Sequence, residues 1–203
     1  MMDSCKKLLF CILFMSYGCA AFNNRLLPPL DPSKTGKAST QKTIGFFVDI
    51  KNYIYIGDRR YEFVDPEHDG LIINDIVSKE LLNSGYFTAA EADKKSVDLI
   101  LLINVTKKDS ISWWHREPSM MLKSLALLLF PIKDTYFWDF EIFILNRAGN
   151  KLAEYHIQDS YNIWSYFLLL PVAPYYTIKK VKSAVVVNAM RELVNRMKEE
   201  KIL

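Results

Sequence analysis

The chain has 203 residues, of which 50% are hydrophobic and 24% are charged, and its formal net charge is +3. This composition provides enough apolar surface to offset the entropy of ordering, so it excludes a disordered, collagen-like or low-complexity protein. The small net charge gives no indication of nucleic-acid binding, which requires a clustered basic face. The length suits a single domain preceded by a targeting segment.

The N-terminus has the three parts of a secretory signal. Lys6 and Lys7 form a basic region, residues 8–15 are all apolar, and mostly small residues follow at positions 16–21. The apolar run is far shorter than the ~20 residues that a membrane-spanning helix needs. We therefore expect residues 1–18 to be a signal peptide that is removed on export.

Residues 16–19, Ser-Tyr-Gly-Cys, resemble a bacterial lipobox, in which the Cys thiol is diacylated before cleavage. All three cysteines lie at or before Cys19, so cleavage there leaves one thiol, which cannot form an intrachain disulfide. We therefore predict lipidation of Cys19, with ordinary cleavage after Ala20 or Ala21 as the alternative. With Ala20 rather than Asp after the cysteine, the chain resembles lipoproteins that are sorted to the outer membrane. This resemblance implies an outer-membrane location facing the periplasm, with inner-membrane retention or secretion as alternatives.

Residues 19–42 are rich in Pro, Ser and Lys, which predicts a lipid-anchored tether leading to a single domain at residues 43–203. Within that domain, apolar positions at three-and-four spacing predict a helix with Asp69 as its N-cap and Gly85 at its end. Runs of β-forming residues predict strands at residues 43–49, 51–56, 61–64 and 99–105, the last of them covered on both faces.

Alternating apolar and polar residues predict an antiparallel hairpin in the second half of the chain. Its strands are residues 136–144 and 153–161, and residues 147–150 form the turn. Thr177 is predicted to cap a final helix with a broad apolar face. That face consists of Val181, Val185, Val186, Ala189, Met190, Leu193 and Met197. Together, the predicted strands and helices indicate an α+β domain, an antiparallel-rich sheet with two helices packed on one face.

Two apolar segments, residues 118–133 and 163–176, flank the hairpin, and both contain prolines. One segment enters the hairpin and the other leaves it, so both should emerge at one pole of the domain. Aromatic residues flank the two segments, as is typical of a membrane–water interface. We predict that this pole contacts membrane or an apolar partner, and the alternative is core beneath the sheet. The predicted contact residues are Trp113, Trp114, Leu125, Leu128, Leu129, Phe130, Trp164, Phe167, Leu168, Leu169 and Leu170.

Gly18-Cys19, the Pro-terminated Leu runs and the order of elements together resemble small envelope lipoproteins of Gram-negative bacteria. The layout is also similar to the α/β domains of TolB amino-terminal and CsgG-type secretion lipoproteins. This resemblance implies an envelope location and carries no catalytic residues across.

The sequence contains no pattern typical of an active site. His68, His115 and His156 are dispersed without metal-ligand spacing, and no phosphate loop or dinucleotide fingerprint is present. We therefore expect a binding or assembly module of the cell envelope, with no enzyme activity, no cofactor and no metal. Its expected partners are the membrane and an envelope protein or lipid. A carrier of a hydrophobic ligand and a subunit of an oligomeric export complex are the alternatives.

Overall fold

The computed structural model describes residues 19–24, 41–56, 59–63, 68–92, 97–110, 131–166, 169, 174–175 and 177–203. These parts of the chain contain seven strands and two helices. In chain order the elements are strands β1 (Cys19–Asn23), β2 (Lys42–Ile56) and β3 (Arg59–Phe63), helix α1 (His68–Asn83), strands β4 (Phe87–Ala92), β5 (Leu99–Ser110), β6 (Ile132–Asn146) and β7 (Lys151–Ser165), and helix α2 (Ile178–Glu199).

The strands form one sheet in the order β1-β7-β6-β5-β2-β3, and β4 pairs with β2 outside this path. β2 is parallel to β4 and β5, because α1 lies between β2 and both of these strands along the chain. All the other pairs are antiparallel. The predicted fold class, an α+β domain with an antiparallel-rich sheet and two helices, is confirmed.

The hydrophobic core lies between the two helices and one face of the sheet. Inward positions alternate along β6, where Phe140, Ile142 and Ile144 are fully buried. The seven residues predicted for the apolar face of α2 are all buried, as the helical spacing indicated. Burying a side chain of this size contributes roughly 1.5–3 kcal/mol, so this layer provides most of the stability of the domain.

The predicted hairpin is the β6–β7 pair. Tyr136 lies opposite Tyr161, and their rings stack with centroids 5.0 Å apart. Gly149 ends the turn with φ +82°, a conformation that favours glycine. The tight turn therefore lies at the opposite end of the hairpin from Ile132 and Ser165.

α2 runs along the sheet toward that turn. Its predicted cap is confirmed, because Thr177 Oγ1 accepts a hydrogen bond from the Lys180 backbone N–H at 3.4 Å. Just beyond its other end, the Tyr155 hydroxyl donates to a Glu200 carboxylate oxygen at 2.7 Å. Burial, followed by this bond to an acid, raises the pKa of Tyr155. The C-terminal end of the helix therefore lies near the start of β7.

Three local predictions differ from the structure. α1 begins at His68, so Asp69 lies in its first turn rather than at the N-cap, although Gly85 ends the helix as predicted. Residues 43–56 belong to one continuous strand instead of two. β5 is fully buried on one face only, because the helices cover one side of the sheet and leave Ile100 and Leu102 half-buried.

The first part of the predicted tether is a strand of the sheet. β1 pairs with β7 from Cys19 opposite Ser165 to Asn23 opposite Tyr161. Ala20 and Ala21 are completely buried. Their side chains point to opposite faces of the sheet, and Ala21 belongs to the hydrophobic core, where its small side chain allows α2 to pack against β1 as well as β7. Residues 1–18 and 25–40, the predicted signal peptide and the rest of the tether, lie outside the described residues.

Candidate functional site

The ends of β1, β6 and β7 meet at one end of the sheet. Ser165 pairs with Cys19 on one side and with Ile132 on the other. Ile132 belongs to the first apolar segment of the sequence analysis and Ser165 to the second. The described ends of both segments therefore lie beside Cys19 in one cross-strand row. We call this region the Cys19 end and define it as residues 19–20, 132–133 and 164–165.

A partly exposed tryptophan and a lysine form the next row of the Cys19 end. Trp164 lies opposite Ala20 on β1 and opposite Lys133 on β6. The Lys133 ammonium nitrogen is 5.8 Å from the centre of the Trp164 ring, a cation–π contact worth about 0.5–1 kcal/mol at an exposed site. One strand residue advances about 3.3 Å, so this pair lies immediately beside the row of Cys19. Tryptophan next to lysine is the composition typical of a membrane–water boundary.

Most of the predicted contact residues fall outside the described parts of the chain. Trp164 and Leu169 are described, and both are half-buried. The Leu169 backbone N–H donates to the Tyr166 carbonyl oxygen at 3.1 Å, which forms a turn just after β7. The predicted contact residues outside the described parts are Trp113, Trp114, Leu125, Leu128, Leu129, Phe130, Phe167, Leu168 and Leu170.

A partly buried polar cluster, formed by the exposed Asn24 with the buried Ser160 and Asn162, fixes β1 to the rest of the sheet. The Asn24 side-chain amide donates to Ser160 Oγ at 2.7 Å, and the Asn24 backbone N–H donates to the Ser160 carbonyl oxygen at 3.0 Å. The Asn162 amide donates to Asn24 Oδ1, while Asn162 Oδ1 accepts from Thr135 Oγ1 at 2.9 Å. Breaking these bonds would leave polar atoms of the buried Ser160 and Asn162 without partners, so the bonds hold the end of β1 in place.

A second buried polar row, which the sequence analysis did not predict, crosses the sheet on its helix side. It joins Asn52, Lys107, Trp138 and Asp159 on four neighbouring strands. All four are buried, and the Lys107 ammonium nitrogen lies 4.7 Å from the centre of the Trp138 ring. The two-residue period of β5 is the signal that could have revealed this row, because Lys107 continues the inward positions of Ile103 and Val105. The helix-side core therefore contains one polar row, and buried apolar residues such as Tyr161 and Ile163 continue beyond it toward the Cys19 end.

Two carboxylates and an imidazole lie close together on the other face of the sheet. Ligand atoms of Glu141, Glu154 and His156 lie within 4.8 Å of one another. His156 Nε2 is 3.1 Å from a Glu154 oxygen, and the Asn104 amide donates to Glu141 at 3.1 Å. A hydrogen bond from Lys151, followed by one from His156, holds the pKa of Glu154 below its usual value. These contacts account for the cluster as a solvated network at the protein surface.

Comparisons with known proteins were made with the whole chain. No protein family and no curated protein matches it. Among solved structures, the chain is similar to a PelC dodecamer from Paraburkholderia phytofirmans, with 13% identity over 84% of this chain and 98% of that chain. The TM-score is 0.29, so this likeness is no basis for a function. Neither of the two described helices is long and apolar enough to cross a membrane.

Proposed function

We propose that this protein is a lipid-anchored binding or assembly module of the bacterial cell envelope, acylated at Cys19. It contacts the membrane through the Cys19 end and through the apolar segments 118–133 and 163–176, and it performs no catalysis. The observation that carries the proposal is the pairing of Ser165 with both Cys19 and Ile132. This pairing brings the candidate lipidation residue to the described ends of both apolar segments.

The position of Cys19 leaves no spacer between the proposed lipid and the sheet. In a lipoprotein the acylated cysteine is the first residue after cleavage, and here Cys19 is also the first residue of β1. The acyl chains would therefore start from the end of a paired strand. Two or more chains, at about 0.8 kcal/mol per buried methylene, would hold the Cys19 end against the bilayer surface.

The residues next to Cys19 fit that position. Lys133 is exposed and lies beside the half-buried Trp164, so the pair offers an ammonium group to lipid phosphates and an indole to the boundary region. The far end of the sheet has a different composition. There the turn of the β6–β7 hairpin is Arg147-Ala148-Gly149-Asn150, four exposed residues, which suits contact with water.

Metabolic labelling with a palmitate analogue in a Gram-negative host tests the anchor. The wild-type chain should incorporate the label, Cys19→Ala should abolish it, and the matched control Cys11→Ala should retain it. Label that persists in Cys19→Ala, or a wild-type chain that takes up none, would overturn the proposed anchor.

Liposome flotation tests contact through the Cys19 end separately from acylation. The chain that begins at residue 19 and carries Cys19→Ser should float with vesicles that contain phosphatidylglycerol. Trp164→Glu should reduce the floating fraction several-fold. Phe137→Glu is the matched control, because Phe137 is an exposed aromatic residue of β6 outside the Cys19 end, and it should have little effect. Equal flotation of both variants would contradict contact through the Cys19 end.

A further inference from the structure

An apolar patch lies on the face of the sheet opposite the helices. Phe47, Leu102 and Phe143 are neighbours across β2, β5 and β6. Ile100 and Leu145 are paired in the adjacent row of the same face. Core residues alternate with these positions along the strands, so the five side chains point away from the core, and all five are half-buried. We call these five residues the outer patch, and a contiguous apolar patch typically marks a contact site.

The chain must pass from one side of the outer patch to the other. Asn24 continues β1 at the edge of the sheet, where its backbone N–H donates to the Ser160 carbonyl oxygen of β7 at 3.0 Å. Lys42 begins β2. Strands β7, β6 and β5 lie between β1 and β2, so residues 25–41 connect two strands that are four places apart in the sheet.

The separation of these two ends follows from the strand register. The cross-strand pairs place Asn24 level with Tyr53 of β2, and residues 42–53 of β2 span about 36 Å at 3.3 Å per residue. Four strand spacings of about 4.8 Å add about 19 Å across the sheet. The direct distance from Asn24 to Lys42 is therefore about 41 Å, while the chain between them reaches about 60 Å when it is fully extended.

The direct route between these ends crosses the open face of the sheet, because the two helices cover the other face. A route over the helices would add a rise and a fall past a layer about 10–12 Å thick. A route around the hairpin turn would lengthen the path to about 55 Å. Both would require an almost fully extended chain, so the length of residues 25–41 favours the direct route.

The direct route passes over the outer patch. It crosses β6 halfway, near Phe143, and then crosses β5 near Ile100. The distance from Asn24 to Phe143 along this line is about 20 Å, which an extended chain covers in about six residues. Leu30 lies at that distance from Asn24 and ends the apolar run Leu-Leu-Pro-Pro-Leu at residues 26–30. Prolines favour an extended conformation without internal hydrogen bonds, which suits a segment that lies on the face of a sheet.

We propose that the outer patch binds residues 25–40 of this chain, with Leu30 against Phe143 and Leu102. The proposal combines an apolar patch on the shortest route with an apolar run at the distance where that route meets the patch. It concerns the sheet and its own connecting segment, so it goes beyond the proposed anchor and does not depend on it.

Disulfide formation tests the position of Leu30. The chain that begins at residue 19 and carries Cys19→Ser has no other cysteine, so two introduced thiols can pair only with each other. Leu30→Cys with Phe143→Cys should form an intramolecular disulfide in air, because the bond needs Cα atoms about 4.4–6.8 Å apart. Leu30→Cys with Leu82→Cys is the matched control, since Leu82 is exposed on α1, and it should form none. A disulfide to position 82, no disulfide in either chain, or a disulfide-linked dimer would overturn the proposal.

Thiol labelling tests coverage of the outer patch without a crosslink. In the same chain, Leu102→Cys should react with a maleimide at least about fivefold faster when Leu26, Leu27 and Leu30 are all changed to Ser, because the patch then loses its cover. Leu152→Cys is the matched control, since Leu152 is exposed near the start of β7, away from the route, and its rate should change less than about twofold. Equal rates at Leu102→Cys with and without the three serines would overturn the proposal. Such a failure would leave the Cys19 anchor untouched, because these experiments contain neither a membrane nor an acylated chain.

Discussion

Ala21→Glu should destabilise the domain strongly, because Ala21 is completely buried in β1 and belongs to the hydrophobic core. Keeping β1 in place would force a larger side chain into the core at a cost of about 1–3 kcal/mol and would bury a carboxylate at several kcal/mol more. Releasing β1 would instead unpair five residues from β7, at about 0.5–1.5 kcal/mol for each hydrogen bond lost. The protein will adopt whichever of these two arrangements costs less free energy, so we expect the free energy of unfolding to fall by about 3 kcal/mol.

Urea denaturation of the full chain carrying Cys19→Ser, followed by circular dichroism, measures this loss. In a protein of this size, about 3 kcal/mol corresponds to a decrease in Tm of roughly 6–12 °C. Ala148→Glu is the matched control, because it makes the same substitution at an exposed turn position and should change stability by less than about 0.5 kcal/mol. Equal stability of the two variants would mean that β1 is a tether and would refute its place in the sheet.

Four further substitutions test other parts of the fold by the same denaturation assay. Hydrogen bonds from the Thr43 backbone N–H and hydroxyl lower the pKa of Asp98. The ionised Asp98 carboxylate therefore stabilises the folded protein above the unfolded pKa of about 3.9, and this stabilisation is lost as the pH falls through the lower folded pKa. The stability difference between wild type and Asp98→Asn should shrink below about pH 4 and stay constant near neutrality. Leu193→Ala, at a fully buried position of α2, should cost about 2–5 kcal/mol, and a change below about 1 kcal/mol would contradict the packing of that helix. Gly149→Ala should destabilise the protein, because the φ of Gly149 is +82°. Gly70→Ala should stabilise the protein by about 0.5–1 kcal/mol, because Gly70 lies in α1 with open space around it. Effects of the opposite sign would contradict both backbone assignments.

Local periodicity predicted the elements whose burial pattern repeats over many residues. Along α2, seven apolar positions at helical spacing predicted the buried face, and the structure buries all seven. Along β6 and β7, alternation predicted the hairpin and its inward side chains, and the cross-strand register agrees. In each case a regular backbone turns one set of side chains toward the core, so the sequence of a single element is sufficient to predict which of its side chains are buried.

β1 could not be predicted in this way. Its five residues, Cys-Ala-Ala-Phe-Asn, are too few to show a period, and the prolines that follow suggested a tether. The partner that makes this segment a strand is β7, which lies near the other end of the chain. The buried polar row of Lys107 and Asp159 was missed for a related reason. The period of β5 indicates that Lys107 points inward, but the strands of Lys107 and Asp159 neighbour β6 from opposite sides, so the order of strands in the sheet is needed to place the two side chains in one row.

The central proposal is that the Cys19 end of the sheet faces the membrane, and spin labels in the protein expressed with its lipidation signal test it most directly. The three cysteines lie at residues 5, 11 and 19, so cleavage before Cys19 leaves an introduced cysteine as the only thiol that is not acylated. Lys133 lies near one end of β6 and Ala148 lies in the turn beyond its other end, so labels at Lys133→Cys and Ala148→Cys would be separated by about the 43 Å that residues 133–146 span at 3.3 Å per residue. In reconstituted vesicles, we predict that the Lys133 label is more accessible to oxygen than to a water-soluble nickel chelate, and that the Ala148 label shows the reverse. Equal chelate accessibility at both labels would contradict the account.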